Sequence, residues 1–208
     1  MSDFCYTFVI TKGDIMDVIV ATGNKGKLKE FKKLLADHFD NVFSVKDFGL
    51  DADVEETGEN FEQNVLIKAN YVKEKTNLAV IADDSGLEVD ALCGAPGLYS
   101  ARYAGENATD QDNRSKLFAQ MQGITDRTAR FVSVVALIMP DGRVYTGRGE
   151  TKGYIMDHEE GDNGFGYDVM FFSDELGKCF GVASEEEKNS VSHRSKAVKN
   201  MLKNLPKV

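Results

Sequence analysis

Residues 81–87 read Ile-Ala-Asp-Asp-Ser-Gly-Leu, and no other stretch limits the fold so tightly. The apolar run over 78–82 has a β-branched centre and is too short for an ordinary helix, so it predicts a buried strand. The strand is expected to end at Asp83 and Asp84, with the chain turning at Ser85 and Gly86. Successive strand side chains point to opposite faces, so the two acids cannot both turn to the core side. Charge at the end of a buried strand is costly unless a cation or a row of hydrogen-bond donors meets it. Strand ends of open α/β sheets are also where ligands bind. A solvated turn explains the same residues, and the stretch alone leaves both readings open.

A chain of 208 residues fits a single domain, and its 42% apolar content is enough for a core. No run approaches the roughly 18 consecutive apolar residues of a membrane span, so no membrane partner is expected. The net charge of −9 argues against a general nucleic-acid coat protein, which needs broad positive potential. The acid is unevenly spread. After Glu187 there is no Asp or Glu, while Lys188, Arg194, Lys196, Lys199, Lys203 and Lys207 follow. A local basic region in an acidic chain suits a small anionic ligand better than a long polyanion. Cys5, Cys93 and Cys179 match neither a zinc spacing nor a disulfide framework, so a reducing, cytoplasmic setting is expected. Residues 1–16 lack the basic and apolar regions of a signal peptide and read as an N-terminal extension, with Met16 an alternative initiator.

In chain order, 17–22 predicts a buried strand running into Gly23-Asn24-Lys25-Gly26-Lys27, then a helix with Leu28, Phe31, Leu34 and Leu35 at helical spacing. Strand, glycine turn and helix is the geometry in which free backbone N–H groups face an anion. The stretch is neither a Walker loop nor a dinucleotide fingerprint, since Ala21 and Leu28 stand where the former needs Gly and Ser or Thr. An ordinary βα turn remains the alternative, although Thr22, Asn24 and Lys27 are suitable donors. A second strand is expected over 41–45. An acidic loop with Asp51, Asp53, Glu55 and Glu56 then leads to a helix over 59–75. Phe61, Val65, Ala69 and Val72 share one face of it, and Lys68 lies beside that stripe. Spacing favours a lysine whose stem covers apolar surface and whose head stays in water over one aimed at a phosphate.

The small-residue stretch 87–108 forms no clear long helix, and a structured loop of that length is usually functional or an interface. A helix is expected over 110–121, capped by Thr109 or Asp110. A hairpin joins strands over 130–139 and 143–149, with 151–156 as a continuation. Over 161–168, three glycines frame Phe165, Tyr167 and Asp168 before an apolar strand at 169–172. Such a loop offers an aromatic stacking face or simply packs its Phe into the core. Ser184 with Glu187 fits a capping box, and Ser192 caps a further helix with His193 and Arg194 in its first turn. Cations there oppose the helix dipole unless an acceptor or anion meets them.

Together these stretches resemble the inosine/xanthosine triphosphate pyrophosphatase family, enzymes that hydrolyse non-standard purine nucleoside triphosphates. The blocks ATGNKGKLKE, EETGENFEQNVLIKA, IADDSGLEVDALCGAPGLYSARY with ATDQDNRSKL, GFGYDVMFF and EEKNSVSHRSKA occur in the family's order over about 18–202. The extension over 1–16 is the departure. The resemblance implies an α/β fold, a long, curved mixed β-sheet flanked by helices in two lobes with a central cleft, forming one domain over 1–208. It also implies Mg²⁺-dependent cleavage of ITP, dITP or XTP to monophosphate and pyrophosphate. Thr22, Gly23, Asn24, Lys25, Gly26 and Lys27 would form the triphosphate loop. Glu55 (with Glu56 beside it) and Asp84 would hold the metal, and Asp84 would be the general base. Lys68 and Ser85 would contact phosphates or water. Phe165 would stack on the purine, with Gly166, Tyr167 and Asp168 lining its pocket, and Lys188, His193 and Arg194 completing the base and sugar side. A homodimer is implied, with residues 99–103 taken as part of the contact.

Overall fold

A computed structural model describes residues 16–205. Most of the expected extension over 1–16, and Cys5 with it, lies outside the described residues. The elements in order are β1 (Asp17–Ala21), α1 (Lys25–Leu35), β2 (Asn41–Ser44), α2 (Phe61–Lys73), β3 (Ala79–Val89), α3 (Asp110–Gln120), β4 (Thr128–Ile138), β5 (Val144–Ile155), β6 (Phe171–Ser173), β7 (Lys178–Cys179), α4 (Glu185–Val191) and α5 (His193–Lys203). The strands form one open mixed sheet in the order β2-β1-β3-β4-β5-β6-β7. β1 pairs in parallel with β2 and β3, and the remaining pairs are antiparallel. The expected mixed sheet flanked by helices is therefore the fold observed.

Three apolar clusters build the body. Phe31 and Leu35 of α1 pack with Ala197, Val198 and Met201 of α5 on one sheet face. Phe61, Val65, Ala69 and Val72 of α2 cover the other. Both helices thus bury the stripe that their spacing marks out, which is where most helical stability arises. Beyond them the long strands β3, β4 and β5 continue into the third cluster. There Leu87, Val89, Phe131, Phe171 and Phe180 pack with Leu117 of α3 and the adjacent Met121. Among the described residues no helix is long and apolar enough to cross a membrane.

The expected turn at Ser85 and Gly86 is not there. β3 runs unbroken to Val89, paired residue for residue with β4 (Asp83 with Val135, Ser85 with Ser133, Gly86 with Val132). Pairing along a long neighbouring strand overrides the local turn preference of Asp, Ser and Gly. The glycine serves close approach. A Cβ at Gly86 would collide with the Gly97 carbonyl and lie 2.7 Å from Ser100 Oγ. That hydroxyl also accepts the Leu87 N–H at 2.9 Å, so the short helical turn Gly97–Arg102 is fastened onto the strand. Smaller differences occur elsewhere. β5 is continuous through Glu150, and the strand expected at 169–172 is a helical turn at Asp168–Met170 followed by β6. The capping boxes at Thr109 and Ser184 and the Ser192 cap are formed.

Gly86→Ala should cost about 1–3 kcal/mol of unfolding free energy, because backbone atoms rather than a movable side chain occupy the Cβ position. Urea denaturation measures this, and an unchanged midpoint would mean that the 97–100 turn yields freely.

Candidate active site

The alternation that puts Ala79 and Ile81 against α1 and α5, and Val80 and Ala82 against α2, carries on into the acids. Asp83 therefore enters the α1/α5 face and Asp84 the α2 face, so the two adjacent carboxylates belong to different surroundings.

Asp83 is 2% exposed. Lys27 Nζ lies 2.6 Å from its Oδ1, and Arg194 Nε and Ser133 Oγ donate to Oδ2 at 3.3 and 2.9 Å. Burial alone would raise its carboxyl, but Arg194 and Lys27 outweigh burial and hold it far below the usual carboxylate range. Arg194 is equally enclosed and donates Nη1 to Glu30 and Nη2 to Ser85 Oγ at 3.0 Å. Glu30 also accepts from Lys188 Nζ at 2.9 Å, and Lys188 donates to Asp168 Oδ2 at 2.6 Å. Against burial, Asp168 and Glu30 raise Lys188. Burial leaves Asp168 above its ordinary value despite that lysine. The basic region expected after Glu187 is thus partly internal, with Lys188 and Arg194 committed to carboxylates. His193 stacks on Phe131 at 4.8 Å. Burial first, then Arg194 and Lys188, hold its imidazole well below its ordinary value, so it is neutral at physiological pH. Its buried Nδ1 finds no partner among the described residues.

On the other face, Lys68 is not the snorkelling lysine that spacing favours. It is 9% exposed, and its Nζ lies 2.7 Å from Glu56 Oε1, 3.2 Å from the Asp83 carbonyl and 3.9 Å from Asp84 Oδ1. Of the two neighbouring acids, Glu56 turns inward and Glu55 is exposed. Asp84 is 6% exposed, and its Oδ2 has no hydrogen-bond partner among the described residues. Burial pushes its carboxyl from 3.8 up to about 6, with Lys68 and Lys27 opposing and Glu56 and Asp83 reinforcing. One pair of neighbours on one strand is thus split into a fixed anion and a carboxyl raised towards neutrality.

The loop before α1 opens beside these groups. Thr22 Oγ1 accepts the Asn24 N–H at 3.2 Å, and Asn24 Oδ1 accepts the Lys27 N–H at 3.0 Å as the helix cap. Gly23, Asn24 and Lys25 are exposed, while Lys27 turns inward. Gly26 lies under the Phe165 ring, where a Cβ would come within 2.5 Å of Cδ1. Phe165 has Lys188 Nζ 4.7 Å from its centroid and Arg194 Cζ at 5.9 Å. A cavity of about 100 Å³ runs from Asn24, Lys27 and Ser85 past Phe165 to Asp168, His193 and Arg194. A second, of about 470 Å³, lies against Gly26, Glu30, Lys188 and Phe180, also with Phe165 in its wall. Tyr167 is 5% exposed and donates its hydroxyl to the Ser100 carbonyl at 2.9 Å, which makes it an anchor of the loop.

The profile of the Ham1 family matches residues 18–204. The chain belongs to the Ham1 family. A relative from Thermoanaerobacter sp. (strain X514) named dITP/XTP pyrophosphatase is 44% identical over 185 residues, 88% of this chain and 93% of that relative. The solved structure of the Staphylococcus aureus Ham1 protein has a TM-score of 0.77 at 42% identity, covering 88% of this chain and 94% of that one. A HAM1 protein from Coxiella burnetii gives 0.78 at 36%, covering 89% and 95%. The family expected from the sequence blocks is the family found.

Several members of this Ham1 site are not legible as single residues in the sequence. Glu30 bridges Lys188 and Arg194, and Ser133 completes the Asp83 cluster. Glu30 stands three residues after Lys27, on the same side of α1, and that spacing was its one signal. Ser133 gives none, since its place depends on β4 register.

The raised Asp84 carboxyl has a consequence for stability. Folding disfavours its charged form, so its cost is fully present above about pH 6, fades as pH falls through the folded value, and is gone below the ordinary 3.8. Asp84→Asn should therefore stabilise the ligand-free protein at pH 8 by up to about 3 kcal/mol, and by nothing at pH 3.5. Paired denaturation curves at the two pH values test this, and equal effects at both would contradict it.

Proposed function

We propose that this chain hydrolyses non-standard purine nucleoside triphosphates (ITP, dITP and XTP) to nucleoside monophosphate and pyrophosphate with Mg²⁺ as cofactor. The observation that carries the reading is Asp84, a buried carboxyl raised to about 6, beside Lys68 and one residue from the Lys27–Asp83 pair. The names of the family relatives support the substrate class.

In this reading Asp84 accepts the proton of the water that attacks the α-phosphorus, which requires its ionised form. Lys68 and Lys27 stabilise the negative charge that moves onto the leaving pyrophosphate. The N–H groups at the start of α1 and the Thr22 and Asn24 side chains cradle the phosphates. The donor set fits a divalent metal, because Asp84 Oδ2 is buried and unpartnered and Glu56 converges on the same lysine. Asp84 and Glu56, with Glu55 beside it, would hold that metal. No cluster of three or more metal-type side chains exists among the described residues, and Mg²⁺ is content with one or two carboxylates because it retains waters. When bound, the metal supplies charge neutralisation on the phosphoryl oxygens.

Phe165 offers the stacking face for the purine, with Asp168, Lys188 and His193 around it. Inosine and xanthosine carry a 6-oxo acceptor where adenosine has an amino donor. Arg194 commits N–H groups to Asp83, Glu30 and Ser85, so the unpartnered His193 Nδ1 is the freer group for reading the base. A mismatched polar group in a closed pocket costs about 1–3 kcal/mol. A homodimer through residues 99–103 is part of the same proposal, supported by Tyr99, which is 61% exposed.

Pyrophosphate release with Mg²⁺ from ITP, XTP, GTP, ATP and a modified pyrimidine triphosphate is the direct test. Cleavage of ITP and XTP with ATP and GTP nearly inert is expected. A pyrimidine preference would overturn the base assignment, and tight ITP binding without turnover would make the protein a sensor. Asp84→Asn should lower turnover by about 10²-fold or more with binding retained. Phe165→Ala should raise KM through lost stacking worth about 1–3 kcal/mol, and an unchanged KM would remove Phe165 from the base site.

A further inference from the structure

The loop carrying Phe165 is held at consecutive backbone groups by side chains. The Phe165 N–H donates to Asp168 Oδ2 at 2.8 Å. The Gly166 N–H donates to Asp110 Oδ2 at 2.7 Å, and the Gly166 carbonyl accepts from Arg114 Nη1 at 2.9 Å. Asp110 and Arg114 stand four residues apart on α3 and so share one face. They close on one residue from its two ends.

The Arg114 side chain is only 14% exposed and is itself fixed. Its Nε donates to Glu159 Oε1 at 2.8 Å and its Nη2 to Gln111 Oε1 at 2.7 Å. The helix beneath is equally anchored. Thr109 and Asp112 form its capping box, and Asn113 accepts from the Ala104 N–H at 2.7 Å and donates to the Ala101 carbonyl at 3.1 Å. Gly166 sits at φ +61°, open to many conformations, with nothing crowding its Cβ position. Asp110 and Arg114 therefore restrain a peptide whose own backbone is permissive, between the Asp168 contact to Phe165 and the Tyr167 anchor.

We propose that Asp110 and Arg114 are positioning residues that clamp Gly166, fix the Phe165 ring, and thereby set affinity and selectivity for the base. This rests on the reading that Phe165 stacks on a purine. Phe165 precedes Gly166, so rotation of a released Gly166 peptide moves the ring, and stacking needs the ring in a narrow range of offsets. Asp84 and Lys68 sit on β3 and α2 and do not depend on this loop. Loss of the clamp thus acts on KM and leaves the chemical step.

The test compares Arg114→Leu and Asp110→Ala with the wild-type protein in ITP and XTP turnover. Each should raise KM about tenfold, the effect of losing one charge-assisted hydrogen bond, with kcat within about twofold. Asp110→Asn keeps an acceptor for the Gly166 N–H and should stay near wild type. Should Asp110→Ala not fold, Glu159→Gln loosens Arg114 from outside the cavity and should shift KM in the same direction. The sequence contains no tryptophan, so Phe165→Trp supplies a single reporter. Its fluorescence anisotropy should fall when Arg114→Leu is added. A wild-type protein that does not cleave ITP would overturn the functional reading itself. A wild type that does, with KM and anisotropy unmoved in the clamp variants or with kcat alone reduced, overturns the clamp.

Discussion

The Asp83 carboxylate, shut off from solvent between Lys27 and Arg194, is the interaction on which the rest of the site depends. An isolated buried charge would cost several kcal/mol, so it persists only because two cations and the Ser133 hydroxyl meet it. Those partners come from α1, α5 and β4. One carboxylate thereby fixes how two helices sit on the sheet, and through Arg194 and Glu30 it fixes Lys188 as well. Removing one member leaves its partner charged and buried, which is far more damaging than replacing the whole group. Such a cluster is poor value as a source of stability. It gives a rigid frame in which the exposed side of the cavity can be held to a narrow geometry.

The strand supplies the second half of the design. Because β3 continues past the acids, the period of two that sorts Ile81 from Ala82 also sorts Asp83 from Asp84. The first meets cations that overcome burial. The second meets burial with too little compensation from Lys68 and is pushed towards neutral pH.

Much of this was legible in the residues. Helical spacing gives the buried faces of α1 and α2, Ser184 and Ser192 give the last two helix starts, and the ordered blocks give the family. What failed did so for nonlocal reasons. Asp-Ser-Gly reads as a turn, yet the β4 partner that keeps it extended lies about 50 residues away. Lys68 reads as snorkelling because the stripe beside it says nothing of Glu56 folding over it. Glu30, Asp110 and Arg114 look like surface charges on amphipathic helices, since their partners arrive from the far end of the chain. Spacing reports the face of an element; what that face meets is decided by topology.

Charge balance links the frame to the chemistry. Lys27, Lys68, Lys188 and Arg194 are set against Glu30, Glu56, Asp83, Asp84 and Asp168, so carboxylates outnumber cations by one when all are ionised. A nucleoside triphosphate brings about three to four further negative charges. Lys27 and Lys68 are already partnered, Lys25 is exposed at the start of α1, and Asp84 and Glu56 would repel the phosphates. On the proposed reading a divalent cation would offset the two carboxylates that face the phosphates. Asp84 and Glu56 would hold it, and its charge would offset theirs and favour the ionised Asp84 that proton abstraction needs.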